Sequence, residues 1–171
     1  MRRQSAGILL YRLTKSGLEV FLVHPGGPYW ARRDRGAWTI PKGEFEADEE
    51  PFTAAIREFF EETGAQVHGP FMPLGSVRQR SGKLVSVWAA EGDFDPQDLK
   101  SNSFSLEWPP NSGGQQEFPE VDRAAWFSVD EGRMKINSRQ LAFIERLQEI
   151  LEKGNRQLAP GNRSTRMLQH D

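Results

Sequence analysis

The order of apolar segments along this chain predicts a mixed α/β sandwich. Three observations carry that expectation. Short runs of β-type residues come in pairs around polar or glycine turns. Only two stretches show the spacing of an amphipathic helix. The elements follow one another as hairpin, strand, helix, hairpin, strand, helix. A doubly wound sheet needs a helix between nearly every pair of strands, and this chain has too few.

Ala6 to Leu13 is an apolar strand, Thr14 to Gly17 a polar turn, and Leu18 to His24 a second strand, so the two read as a hairpin. Pro25-Gly26-Gly27-Pro28 breaks the pattern. Tyr29 to Gly36 is a loop with an aromatic pair, Tyr29 and Trp30, and three arginines, Arg32, Arg33 and Arg35. Ala37 to Ile40 reads as a short strand that ends at Pro41-Lys42-Gly43. The first helix runs from about Glu50 to Thr63. Asp48 is its expected N-cap, Pro51 suits its first turn, and Gly64 suits the position past its end.

Phe71 to Arg78 and Lys83 to Ala90 form a second expected hairpin around Ser81-Gly82. Ser101 to Phe118 reads as a long irregular stretch containing Trp108-Pro109-Pro110, and a loop of that length in a compact domain is often functional. Val121 to Phe127 is a last strand. Asn137 or Ser138 can cap a C-terminal helix through Lys153, with Leu141, Ile144, Leu147 and Leu151 as its apolar stripe. The expectation is one domain over residues 1–153 and a polar, mobile tail over 154–171.

Composition narrows the function classes. The chain has 171 residues, the size of one domain with a real core, and 37% of them are apolar. A net charge of −2 gives no global attraction to nucleic acid or anionic membrane. With no cysteine there is no disulfide framework and no zinc–thiolate site. The three histidines, His24, His68 and His170, are scattered. Two arginines near the start are not followed by a secretory core, and no stretch approaches a membrane span, so the expectation is a cytoplasmic protein.

The run from Gly43 to Ala65 organises the rest. On its helix Glu58, Glu61 and Glu62 stand at i, i+3 and i+4, so their carboxylates share one outward face. Phe52, Ile56, Phe59, Phe60 and Thr63 fall roughly opposite and form the expected buried stripe. Acidic surface helices are common. Here, however, Glu58 and Glu62 repel at i, i+4, and Glu61 and Glu62 crowd the helix C-terminus, where the dipole disfavours anions. The only cation in the cluster is Arg57. A divalent cation reverses the sign of every one of these terms. Carboxylate and carbonyl oxygens without His or Cys suit Mg²⁺ or Mn²⁺, ions that keep waters and reach phosphate oxygens.

The full spacing is more specific. Gly43, Glu49, Arg57-Glu58, Glu61-Glu62 and Gly64 fill every charged and glycine position of a pattern that resembles the Nudix box. The departures, a bulky Phe59 and a small Ala65, concern packing. The strand order also resembles the Nudix α/β/α sandwich with a mixed sheet, over about residues 5–152. By this resemblance Glu58, Glu61 and Glu62 are metal ligands, Arg57 orients them through a salt bridge, and Lys42 lends a backbone carbonyl. A later acid is also implied, Glu120 first and Glu117 second. The resemblance implies attack of an activated water on a nucleoside diphosphate linked to another group, with Glu61 or the later acid as base.

Trp38-Thr39-Ile40-Pro41-Lys42-Gly43 resembles the lead-in of family members acting on diadenosine tetraphosphate and related dinucleoside polyphosphates, and of some acting on nucleoside triphosphates. Lys42, Trp38 and Arg32 are therefore candidate substrate contacts, with Arg33, Arg35, Arg78 and Arg80 behind them. Some dinucleoside-polyphosphate hydrolases carry a tyrosine shortly after the box, whereas both tyrosines of this chain, Tyr11 and Tyr29, precede it. Diphosphoinositol polyphosphates and RNA 5′ ends stay open as substrates. A silent nucleotide-binding module is the competing class.

Overall fold

The computed structural model describes residues 3–158. β1 (Gln4–Thr14) and β2 (Gly17–Pro25) form the first hairpin. Their residues alternate between two apolar faces, as strands buried on both sides must. Then follow β3 (Lys42–Phe45), helix α1 (Pro51–Thr63), β4 (Phe71–Arg78) and β5 (Leu84–Glu91). β6 (Ser103–Glu107) and β7 (Gln115–Pro119) make a separate two-stranded ribbon. β8 (Val121–Ser128), α2 (Val129–Lys135) and α3 (Leu141–Leu158) complete the order.

The main sheet runs β4-β5-β1-β2-β8, with β3 added beside β1. β1 and β5 are parallel and the other pairs antiparallel, so the sheet is mixed. β1 pairs with β3 over its first residues, Gln4 to Gly7, and with β2 over its last, Tyr11 to Thr14. The sheet therefore forks on that side of β1. The fork sets β3, with Lys42 and Gly43, directly against α1.

Two apolar layers hold the sandwich. Leu9, Val20, Leu22 and Val87 pack against Phe143, Ile144 and Leu147 of α3 on one face. Ala6, Ile8, Leu10 and Phe21 pack against Ala54, Ala55 and Phe59 of α1 on the other. Phe59 is 1% exposed, and burying a ring of that size contributes about 2–3 kcal/mol. This pins one side of α1 to the sheet and fixes where its acidic residues point.

The structure corrects several expectations. Ala37–Ile40 is not a strand. Only Thr39 pairs with Val23, while Trp38 bridges to Ile136 and Ile40 N–H donates to Gln140 Oε1 at 2.8 Å. Three partners satisfy this short segment, and Pro41, with no N–H, stops it extending. The stretch expected to be irregular is the β6–β7 ribbon, whose Phe104, Leu106 and Phe118 alternate with exposed polar residues. α2 was not expected; its seven residues are too few for a clear period. The Ser128-Val129-Asp130-Glu131 capping pattern does announce it, with Ser128 Oγ accepting from Glu131 N–H at 3.2 Å. Glu50, not Asp48, is the N-cap of α1, and it makes no side-chain cap. Phe60 is 52% exposed, and Ala54 and Ala55 take the buried place expected for it. α3 starts at Leu141, after a turn capped by Asn137, and continues past Lys153 to Leu158. The remainder of the expected tail, 159–171, lies outside the described residues.

Candidate active site

Helix α1 ends where Gly64 turns left-handed at φ 78° and its N–H returns to Phe60 O at 2.7 Å. The last-turn carbonyls that a helix leaves unpaired are taken up from outside. Lys100 N–H donates to Thr63 O and Asn102 N–H to Glu61 O, both at 2.9 Å. The ladder then continues: Glu120 N–H donates to Asn102 O at 2.7 Å, and Gly26 N–H to Glu120 O at 2.9 Å. Four segments far apart in sequence meet at the acidic end of α1. This stitching brings Glu120 to the helix.

Arg57 is the hub of the charges. Its Nη2 donates to Glu49 Oε1 at 2.8 Å and its Nη1 to Glu58 Oε1 at 2.9 Å. The same Nη1 reaches both oxygens of Glu61 at 3.1 Å. Its bonds to Glu49 raise the Arg57 pKa and hold the Glu49 carboxyl below its usual range. A fork of fixed donors suits this task better than an ammonium point charge.

The other carboxylates are less well served. Glu58 is buried, and burial pushes its pKa up despite Arg57. Glu62 is half-buried and is pushed up to about 8, chiefly by burial, although Lys42 N–H donates to its Oε2 at 3.2 Å. Glu120 is raised by burial and then by the charge of Glu61. Glu58 and Glu62 in turn feel the charge of Glu120. So Glu58 and Glu62, expected to face outward, turn toward β3, while Glu61 stays a third exposed on Arg57. Gly43 makes the room. A Cβ built there would lie 2.1 Å from Glu58 Cδ and Oε2, so only glycine lets that carboxylate rest against the β3 backbone.

The donor chemistry fits a divalent cation. Hard oxygen donors of one charge gather with a carboxyl raised to about 8, which is the penalty a cation would remove. Among the described residues no group of three His, Asp or Glu side chains is already assembled to hold a metal. Arg57 Nη1 lies between Glu58 and Glu61, and its bond to Glu58 involves Oε1 alone.

The remaining candidates divide. Lys42 sits on β3 beside the cluster, and burial, then Lys83, lowers its pKa. Glu117 stands exposed on β7 opposite Ser105, away from the group that Glu120 joins. Arg32, Arg33 and Arg35 are exposed on the loop, with Arg33 over the Trp30 ring at 5.3 Å. Arg78 and Arg80 are exposed beside the β4–β5 turn, and Arg78 bonds Gly82 O. Trp38 is a correction. It is 5% exposed, its ring edges meet Phe127 and His24, and its Nε1–H donates to Asp34 Oδ1 at 2.8 Å. A ring so enclosed is core and has no open face for a base.

Sequence reasoning missed the residues that hold the neighbouring loop. His24 is fully buried, with Nδ1 at 2.8 Å from Asp122 Oδ1 and Nε2 at 2.6 Å from Arg33 O. Asp34 takes Trp38 Nε1–H and pairs with Lys135. No spacing in the sequence links these positions. The one signal is a histidine at the end of an otherwise apolar strand.

Comparison with known proteins agrees with this architecture. A MutT-like protein from Streptomyces ambofaciens is 30% identical over 77 residues, 45% of this chain and 50% of that protein. The match thus spans half the length of that relative. The NUDIX domain of Shewanella oneidensis NrtR, solved with ADP ribose, superposes with a TM-score of 0.60 at 18% identity, over 88% of this chain and 89% of that one. The C. elegans Ap4A hydrolase, solved as a binary complex, gives 0.60 at 20% identity, over 88% and 98%. At such identities these two speak for the fold alone. A model of the NUDIX domain matches residues 1–147, nearly the whole described chain and every element that builds the site. The chain belongs to the Nudix hydrolase family.

Proposed function

We propose that this protein hydrolyses a pyrophosphate bond in a nucleoside diphosphate linked to another group. A dinucleoside polyphosphate is the first-ranked substrate and a nucleoside triphosphate the second. The observation that carries the reading is the convergence of Glu58, Glu61 and Glu62 of α1 with Glu120 from the β7–β8 junction.

In this reading Glu58, Glu61, Glu62, Glu120 and the Lys42 carbonyl hold Mg²⁺, or Mn²⁺. The cation, when bound, activates water and screens charge on the phosphoryl oxygens. The chain's own groups do the rest. Arg57 keeps Glu49, Glu58 and Glu61 in register through its fork. Gly43 lets Glu58 sit against β3. Glu61 or Glu120 takes the proton of the attacking water; both stand in the cluster. The Lys42 ammonium and Arg32 attract the phosphate chain. Arg32 makes no ion pair among the described residues, so its charge is free for that task.

The test is a substrate panel with Mg²⁺ in ¹⁸O-labelled water, with products identified by mass. It includes diadenosine tetraphosphate, GTP, ADP-ribose, a diphosphoinositol polyphosphate and a 5′-triphosphorylated RNA. Turnover of a nucleotide with label in a phosphate product supports the reading. Tight nucleotide binding with no turnover across the panel sinks it in favour of a binding module.

A further inference from the structure

We infer that Tyr29 and Trp108 form the subsite for the nucleobase, so that specificity lies in the 26–36 loop and the β6–β7 ribbon. The inference rests on the hydrolase reading above, because it assumes a nucleotide whose phosphates reach the carboxylates. Three observations lead to it.

First, the two segments are joined to the acidic cluster at their bases. Gly26 N–H donates to Glu120 O, and Glu120 N–H to Asn102 O, just before β6 begins. A Cβ at Gly26 would fall 1.8 Å from Pro119 O, so loop and ribbon touch backbone to backbone there. Tyr29 is three residues further on, which limits its Cα to roughly 10 Å from that junction. A ribose and a few phosphates cover such a gap.

Second, the segments meet again at their outer ends. The Tyr29 and Trp108 rings lie 5.4 Å apart at 81°, an edge-to-face pair. Between the two junctions Gly27 lies on Phe104, where a Cβ would come 3.0 Å from the ring. Loop and ribbon are thus one continuous wall rising from Glu120.

Third, the wall presents an aromatic ring without burying it. Tyr29 is 59% exposed, although its loop is tied down. His24 holds Arg33 O at 2.6 Å, Trp38 holds Asp34, and Gly36 N–H donates to Met134 O at 3.1 Å. One exposed tyrosine on a loose loop needs no explanation. This one is held in place, beside a second aromatic ring. Base-on-aromatic stacking contributes about 1–3 kcal/mol per base and tolerates any base. That chemistry selects a nucleoside over a bare polyphosphate.

The experiment compares wild type, Tyr29→Leu, Trp108→Leu and Tyr29→Phe. It measures kcat/KM for diadenosine tetraphosphate and GTP against inorganic tripolyphosphate, and the affinity of a methylene-bridged GTP analogue by calorimetry. The preference for nucleotide over tripolyphosphate should fall about 5- to 100-fold in Tyr29→Leu, mostly through KM, and analogue affinity should fall in step. Tyr29→Phe should keep the preference, because the ring stays. Trp108→Leu should follow Tyr29→Leu. If it unfolds the ribbon, Tyr29→Leu still decides, since that side chain is exposed. If wild type turns over nucleotides and Tyr29→Leu keeps both preference and affinity, the subsite is overturned and the hydrolase reading stands. If wild type neither binds nor cleaves any nucleotide, both fall.

Discussion

The acidic end of α1 and the wall beside it are built on opposite principles. The first comes from one short run, Gly43 to Gly64, whose spacing alone puts three carboxylates on one face. It concentrates like charge, and burial first, then Glu58, drives the pKa of Glu62 up to about 8. The wall comes from the 26–36 loop, the β6–β7 ribbon and a histidine on β2, and it is held by backbone hydrogen bonds and ring edges. A cluster that works by charge can be written locally, since a helix fixes its geometry. A surface that works by shape must be assembled from distant pieces. In the proposed reading, chemistry belongs to the first region and choice of nucleotide to the second.

The largest effect should come from breaking the first region. Glu62→Gln keeps shape and loses charge, and Glu61→Gln removes a proposed ligand and a candidate base. Each should lower kcat by about 1,000-fold. Circular dichroism should stay near wild type, because neither charge contributes to the apolar layers. A variant at wild-type rate with saturating Mg²⁺ would remove the metal site from α1.

Gly43→Ala is a sharper probe, because it adds one methyl and changes no charge. Its Cβ would press on Glu58 Cδ at 2.1 Å, so the carboxylate must leave its place. Misplacing a group by about 1 Å can cost 10²-fold in rate, and a loss near 100-fold is expected. The overpacking should destabilise by about 1–3 kcal/mol. Normal kcat with a lowered melting temperature would mean that Glu58 is structural.

His24→Phe tests the second region. Both imidazole nitrogens stand within hydrogen-bond distance of an oxygen, Asp122 Oδ1 and Arg33 O. A phenyl ring fills the space and removes both hydrogen bonds, the one to Asp122 at the surface. Two such losses cost about 1–3 kcal/mol, or roughly 2–12 °C in a chain of this size. If the wall selects nucleotide, KM should rise several-fold while kcat holds, since no ligand of α1 is touched. A fall in kcat with unchanged KM would dissolve the distinction between the regions.

How much was legible follows the same division. The strands of the main sheet other than β3, together with α1 and the box, were readable because each has a local period or spacing; β3, four residues long, has neither. Trp38 is a candidate substrate contact by sequence and core in the fold, because a sequence cannot say whether a ring enters a packed layer. β6 and β7 were read as irregular because Trp108-Pro109-Pro110 and Gly113-Gly114 dominate the segment, and the alternation of Phe104 and Leu106 with polar residues is short. Glu120 was separable from Glu117 only after the Glu61–Asn102–Glu120 ladder was seen. His24 and Arg33 are near in sequence, but their bond depends on a loop path that no pattern encodes.

The smallest effect separates the regions by pH. In metal-free protein Glu62 has a pKa near 8, well above the usual value of 4.5. The folded state therefore binds more protons than the unfolded chain between those values, and stability falls as pH rises across that window. Glu58 and Glu120 are raised as well and push in the same direction. From pH 5 to 8 the melting temperature of chelator-treated protein should drop by roughly 5 °C, the size expected for about 2 kcal/mol. Mg²⁺ requires the ionised carboxylates, so it should restore more stability at pH 8 than at pH 5. Glu62→Gln should flatten the pH dependence and weaken the Mg²⁺ response, whereas Tyr29→Leu should leave both as in wild type. Equal slopes in the Glu62→Gln variant and wild type would show that the strain of gathered charge is not stored in α1, and the contrast between a charged half and a shaped half would fail at its first term.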